Sequence, residues 1–376
     1  MHLHARLFIN LEELTPYAER WNQLLQLSQG NTIFLTWEWL YAWQTYVAGD
    51  NPLFIIAVFD NEEQLQAFLP LYQTSFKFCK YISYTCLRPM GDCHCGAEYP
   101  DLISAPEVIE EALSCIGTCL QTHRQKWDCL YLRYVAGWDD AKLRLTRLYT
   151  GQRAFFRQQA TVFSSITLPA NIETFNRETS ALYPLIHRQK KKLDRTGSVS
   201  ISLCQQEHDL PLYLDSLFLL HKKRWESVGQ KGSFIRRPLM QKFYRGFAAT
   251  ALRKGWLKIF ALQLDGKIMA IQIGYLYAGI FYQLQEGFDP AGPGGLGNVL
   301  RHAVIEWCIS NKVQAYDYLS GAEEHKLKWG ARQRVGYHLF TGSRKPKNLL
   351  LALADIWPSG RFITEGPPAG HGRSHD

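Results

Sequence analysis

The sequence predicts an α/β chain in the mixed, α+β sense: two tandem domains of like architecture, each a mostly antiparallel sheet flanked by helices. Three observations lead there. A length of 376 residues is that of about two ordinary domains. A hairpin, a loop, a helix and a strand follow one another over residues 52–134 and again over 256–319, which is the pattern of a duplicated unit. In the second copy, two apolar, aromatic-rich runs meet at Asp265-Gly266, the dipeptide that closes a tight antiparallel hairpin.

Residues 11–48 carry two helical patterns, the second lined by Trp37, Leu40, Tyr41 and Trp43. Residues 52–60 and 64–72 alternate as a hairpin across Asn61-Glu62-Glu63, and an irregular stretch to Ala105 precedes a helix over 106–123 and a strand over 129–134. Asp139-Asp140 starts a further helix, and 151–168 contains extended chain. Pro169 marks the boundary, so residues 1–168 form the first domain and 169–345 the second. One helix is expected over 172–196, ended by Gly197 and rich in basic residues at its close, where cations complement the carbonyl terminus. A strand over 199–203 and helices over 210–228 and 238–253 follow, joined by GQKGSFIRRP, a flexible connector that could close over a substrate. Strands over 256–264, 267–277 and 280–288, a helix from Leu296 and a short strand at Asp317 complete the second copy. Residues 346–376 form a tail expected to be disordered, Gly/Pro-rich over 358–376.

Composition narrows the class. With 46% hydrophobic and 13% aromatic residues there is ample material for packed cores, while no apolar run approaches the ~20 residues of a membrane-spanning helix. The excess of 42 basic over 34 acidic residues gives +8, which suits an anionic ligand or a membrane surface and lacks the clustered arginines of a dedicated nucleic-acid domain. Nine cysteines and an N-terminus with acidic residues in place of an apolar signal core point to reduced thiols in the cytoplasm. Cys93-His94-Cys95 with Cys86 upstream lacks zinc-finger spacing, and the expectation is loop thiols with no metal.

The stretch from Phe281 to Gly330 carries the chemistry. Gly292, Gly294, Gly295 and Gly297 lie between a strand and a helix whose apolar face runs through Leu296, Val299, Leu300, Ala303, Val304, Trp307 and Cys308, with Arg301, His302 and Glu306 pointing elsewhere. Free N–H groups at such a helix start, including those of Asn298 and Val299, favour a phosphate. Gly292, Gly294 and Gly297 also fit G-x-G-x-x-G with Asp317 downstream, a dinucleotide signature. Antiparallel hairpins ahead of the loop argue against that parallel fold and for a nucleotide-linked acyl donor.

The order of elements, ending in YDYLSGAEEHKLKWG, resembles the FemAB/CelD-like branch of the GNAT acyltransferase superfamily. That branch has an Asp on the strand, then a Gly, then a Tyr-Lys pair and an aromatic. The matching residues are Asp317, Gly321, Lys326 and Trp329, with His325 replacing the tyrosine. HKKRWESVG at 221–229 and Arg188 add distant support. The resemblance implies acyl-CoA as co-substrate, an amine or hydroxyl acceptor, and a place in envelope or exopolysaccharide biosynthesis. Fem-type members imply aminoacyl-tRNA as an alternative donor, and a catalytically inactive binding module is a third reading.

With no G-x-S-x-G elbow or Ser/His/Asp motif, direct attack on the donor is expected. The glycine loop would bind the pyrophosphate with Arg301 as charge partner, and Lys326 would meet the phosphates or the developing oxyanion. Asp317 is the leading base, with Glu286 and Glu324 as rivals; the alternative for Asp317 is a carboxylate bonded to backbone N–H groups of the Ser320-Gly321 turn. Trp329 either stacks on adenine or closes the core. Lys190 to Lys192 form either a solvated face or a hold on an anionic carrier. The first copy has Asp92, Glu98 and Asp101 where the second has glycines; acid there would repel phosphate, so the first domain is assigned the acceptor side. Asp101 is its candidate carboxylate, with a turn or cap role as the alternative.

Overall fold

The fold was obtained as a computed structural model, which describes residues 2–78, 81–92, 94–148, 153–354 and 357. In chain order the elements are β1 (His4–Phe8), α1 (Ala18–Leu27), α2 (Trp37–Trp43), β2 (Leu53–Phe59), β3 (Leu65–Phe78), β4 (Ile82–Pro89), β5 (Ile103–Ser104), α3 (Ile109–Thr122), β6 (Cys129–Ala136) and α4 (Ala141–Arg147). There follow β7 (Arg153–Thr167), α5 (Ile172–Glu178), α6 (Tyr183–Thr196), β8 (Val199–Leu203), α7 (Leu210–Glu226), α8 (Ser233–Arg236), α9 (Pro238–Arg253), β9 (Leu257–Leu264), β10 (Lys267–Tyr277), β11 (Ile280–Phe288), α10 (Leu296–Ser310), β12 (Ala315–Ser320), α11 (Glu324–Lys328), β13 (Arg332–Ser343) and α12 (Asn348–Leu353).

The chain divides into two units, Met1–Thr161 with Val335–Asp376, and Val162–Arg334. In the first, β1/β2, β2/β3 and β3/β4 pair antiparallel, β4/β6 pair in parallel through Cys86↔Cys129 and Leu87↔Leu130, and β6 pairs antiparallel with Gly336–Gly342 of β13. In the second, β8/β9, β9/β10 and β10/β11 pair antiparallel, β11/β12 in parallel through three residue pairs, and β12 antiparallel with Phe163–Thr167 of β7. The two series are identical in order and sense, as the repeated pattern in the sequence requires. Each parallel pair is bridged by one helix, α3 or α10, because parallel neighbours need a crossover.

Sequence explains why these segments take these forms. LFIIAVF of β2 is buried throughout, the continuous apolar run of a strand covered on both faces. In the second unit, Leu296, Val299, Leu300, Val304 and Cys308 of α10 pack with Phe260, Leu262, Phe281 and Tyr316 of the sheet, at the spacings expected of one helix face. No helix among the described residues is long and apolar enough to cross a membrane.

Three expectations are corrected. The helix over 172–196 is two helices. Asn171 caps α5 by accepting the Thr174 N–H at 2.9 Å, and Pro184 lies in the first turn of α6, where its missing N–H is harmless; inside one long helix it would break the ladder. The domain boundary falls at Thr161/Val162 and Arg334/Val335, inside β7 and β13, so residues 335–345 belong with the first unit. Residues 346–354 are ordered: Lys345 and Lys347 both reach the carboxylate of Asp128, at 2.8 and 2.7 Å, and Asn348 donates to the Asp128 carbonyl at 2.8 Å. Most of the expected tail beyond them lies outside the described residues.

Candidate functional site

In the second unit β11 and β12 are in register only from Ile280↔Ala315 to Tyr282↔Asp317. Beyond that pair they part. Both strands bulge where they separate. Gly274 faces Gln283 and Ile273 faces Gln285, which leaves Leu284 as the extra residue of β11. On β12, Asp317 faces Ser165 while Ser320 faces Phe163, and Leu319 takes φ +61°. Bulges re-aim side chains and end pairing, and here they open a wedge with its apex at Tyr282 and Asp317.

At the wide end lies the glycine loop. Lys223 of α7 holds Asp289 at 2.8 Å, and Asp289 accepts the Ala291 N–H at 3.1 Å. Gly295 takes φ +98° at the N-cap of α10 without a side-chain cap, a conformation that favours glycine. The first bond of the helix is from Val299 N–H to the Gly295 carbonyl at 2.9 Å. The N–H groups of Leu296, Gly297 and Asn298 have no backbone partner among the described residues, as expected of a first turn. Gln189 of α6 covers one flank: a Cβ on Gly295 would lie 2.5 Å from it, and Asn298 donates to its oxygen at 3.2 Å. Gly292 approaches Met269, Gly297 approaches Phe288, and a Cβ on Gly294 would meet nothing within 4 Å.

Within the wedge is an ionic cluster. Arg301 of α10 donates to both oxygens of Glu286 at 2.6 Å, and Arg224 of α7 donates to the same carboxylate at 2.8 Å. Gln283 adds a bond at 3.2 Å. Burial alone would raise the Glu286 pKa, but the two guanidinium groups outweigh it and bring it down to about 2. A carboxylate held there is a weak proton acceptor. Arg301 is 6% exposed, so it lies within the protein, and it is Nη2 of its guanidinium that binds Glu286. Its guanidinium lies 5.4 Å from the Trp329 ring and 5.9 Å from the Tyr318 ring.

Asp317 and Lys326 each bind the backbone at the bulged end of β12. Asp317, buried, accepts the Leu319 N–H at 2.7 Å and holds the bulge. The Lys326 ammonium donates to the Ser320 carbonyl at 2.9 Å, approaches those of Tyr318 and Gly321 at 3.4 Å, and pairs with Glu323 at 2.9 Å. The ammonium thus binds the end of β12 together with Glu323, partners that the sequence alone does not indicate. Trp329 is buried in the core against α10, so it closes the core and is not available to stack on adenine. Glu324 and His325 are exposed in the short α11, and Arg188 is exposed on α6, next to Gln189. Arg188 and the lysines Lys190 to Lys192 make no ion pair among the described residues.

Among the described residues, the first unit shows no equivalent phosphate seat. Its crossover helix α3 begins with Glu110 and Glu111, charges that oppose an anion at a helix start. The loop acids are internal: Asp92 takes the Arg88 guanidinium and the Tyr72 hydroxyl, each at 2.7 Å, and Asp101 is ion-paired with Arg144 and accepts the Leu102 N–H at 2.8 Å. Arginine neutralises Asp92 and Asp101, so neither supplies the expected repulsion, and Asp101, 3% exposed, is a structural clamp.

Sequence reasoning missed Arg224, Gln283, Tyr318 and Gln189. Arg224 is legible within HKKRWESVG, and Gln283 as a polar residue in an apolar strand. Nothing in the sequence reveals Gln189, whose role depends on packing between distant helices.

Residues 185–327 match the family model described as an acetyltransferase (GNAT) domain. The alignment begins in α6 and ends in α11, so the wedge, the glycine loop and the ionic cluster all lie within it. No curated protein matches the chain. Among solved structures, FemX superposes with a TM-score of 0.60 at 10% identity, over 95% of this chain and 100% of its own. A conserved protein of unknown function from Bacteroides thetaiotaomicron gives 0.57 at 11%, over 87% and 97%. L-PGS from Bacillus licheniformis gives 0.52 at 14%, over 89% and 95%. These likenesses show a shared fold.

Proposed function

We propose that the second unit transfers an acyl group from acyl-CoA to an amine or hydroxyl acceptor by direct attack, within envelope or exopolysaccharide biosynthesis. The observation that supports this best is the separation of β11 from β12 beyond Tyr282 and Asp317, with the uncommitted N–H groups of Leu296, Gly297 and Asn298 at its mouth. Those amides and the helix dipole suit a pyrophosphate, and the wedge suits the extended arm that follows it. Fixing the thioester against a bound acceptor supplies the larger part of the rate. Asp317, at the apex, is the proposed proton acceptor. Glu286 acts on the arginines instead, and Asp101 positions its own unit.

A second reading takes aminoacyl-tRNA as the donor. It is favoured by Arg188, Lys190, Lys191, Lys192 and Arg195, all exposed on α6 beside the loop, which could follow a phosphate backbone. Calorimetric titration of the full chain with acetyl-CoA, a longer acyl-CoA, NAD and charged tRNA tests both. Binding of the first two alone supports the acyl-CoA reading; binding of charged tRNA with a steep salt dependence supports the second, and binding of NAD alone removes both.

A further inference from the structure

The wedge contains two buried donors that no acceptor among the described residues satisfies. Tyr318 and Arg301 are each 6% exposed, and neither the Tyr318 hydroxyl nor the Arg301 Nε has a hydrogen-bond partner among the described residues. Gln283, on the facing strand, has an unpartnered oxygen as well. Buried polar groups are rarely left unpaired, since an unmade bond there carries the full cost of desolvation.

The position of these groups is specific. Tyr318 directly follows Asp317 and Gln283 directly follows Tyr282, the last residues in register. They therefore stand at the closed end. From Phe288, beside the first turn of α10, to Gln283 is about 15 Å at ~3.3 Å per strand residue. That is a span an extended pantetheine arm covers, which puts the phosphates at the mouth and the acyl group at the apex. The charge is specific too. Arg301 and Arg224 face one carboxylate, Glu286, while Lys326 is balanced by Glu323. Arg301 and Arg224 thus share a single counter-ion in a poorly solvated place, where a further acceptor for Arg301 gains most.

We propose that the apex of the wedge receives a carboxylate carried by the acyl group, so that the preferred donor is a dicarboxylic half-thioester of the malonyl or succinyl class. One oxygen of that carboxylate accepts from Arg301 Nε and the other from the Tyr318 hydroxyl. Glu286 is then the counter-ion that keeps Arg301 in place when the site is empty of ligand. The proposal rests on the acyl-CoA reading of the same site.

The test is calorimetric titration of the full chain and of Tyr318→Phe with CoA, acetyl-CoA and succinyl-CoA. The expected result is that succinyl-CoA binds about tenfold tighter than acetyl-CoA, and that Tyr318→Phe removes about tenfold from succinyl-CoA affinity alone, the loss of one charge-assisted bond. Equal affinity of the wild-type chain for the two thioesters overturns the carboxylate site and leaves the acyl-CoA reading standing. A Tyr318→Phe loss shared equally by both thioesters also overturns it, since the hydroxyl would then serve the thioester carbonyl. Failure to bind CoA or any thioester overturns the underlying reading, and this inference with it.

Discussion

Arg301 donates from a single nitrogen, Nη2, to both oxygens of Glu286, and the pair joins the crossover helix to the strand it spans. Arg224 reaches the same carboxylate from the opposite helix. One acid therefore ties α7, β11 and α10 together, and removing it leaves two guanidinium groups facing each other in a confined space.

Glu286→Gln is expected to destabilise the protein by about 3 kcal/mol, the scale for breaking a buried ion pair by removing one partner. Urea unfolding measures it. The same pair sets an acid limit. Glu286 has its pKa depressed from 4.5 to about 2 in the folded protein, so its contribution is complete above pH 4.5 and is lost as pH falls towards 2. The wild-type midpoint should decline over that window and the Glu286→Gln midpoint should decline less; parallel declines would remove the pair from the acid response.

His221 of α7 responds in a higher range. Burial, aided by the charge of Arg224, brings its pKa from 6.5 to about 4, and its Nε2 takes the Trp225 indole N–H at 3.0 Å. The unfolded state binds the proton more readily, so stability is greatest above pH 6.5 and falls as pH drops from 6.5 to 4, by about 3 kcal/mol for the full shift. Thermal midpoints recorded between pH 7.5 and 4.5 should show the slope in the wild type, and His221→Gln should flatten it. An equal slope in both assigns the effect elsewhere.

Two glycines separate fold from ligand. A Cβ on Gly287 would lie 2.3 Å from the His221 backbone nitrogen and 2.6 Å from the Leu220 carbonyl carbon, atoms of α7 that cannot step aside singly. Gly287→Ala is expected to cost about 3 kcal/mol through overpacking. Gly294→Ala meets nothing within 4 Å and should leave the melting temperature unchanged while weakening CoA binding at least tenfold, because its methyl group enters the space proposed for the pyrophosphate. Undiminished CoA affinity in Gly294→Ala would place the phosphates elsewhere.

Asp317→Asn keeps an oxygen for the Leu319 N–H and so preserves the bulge. Turnover should fall by about 10²-fold or more if this carboxylate takes the acceptor proton, with the melting temperature little altered. An unchanged kcat in a folded Asp317→Asn protein confines Asp317 to shaping β12.

What the sequence discloses and what it conceals divide along physical lines. α10, the hairpin at Asp265-Gly266 and the repeated series of elements are visible because they depend on local periodicity and turn chemistry. The direction of Arg301 is not visible, since its position beside the apolar stripe suits either solvent or a buried acid, and only the fold brings Glu286 to it. Asp101 reads as an acceptor-side carboxylate until Arg144, 43 positions away, is seen to pair with it. Lys326 reads as a free cation for the same reason: its carbonyl partners are set by a backbone bulge that has no signature in composition. The break between α5 and α6 does have a signal in the sequence, because Pro184 stands within the expected helix.

The passage of β7 and β13 between the units bears on how the protein is made. Residues 162–334 are contiguous and can close their sheet as soon as they have left the ribosome. The other unit, though begun first, lacks the strand beside β6 until residue 342 has been synthesised. The half translated earliest is thus the half completed last, and a truncation placed after the matched domain would strip an edge from the part of the protein it was meant to spare.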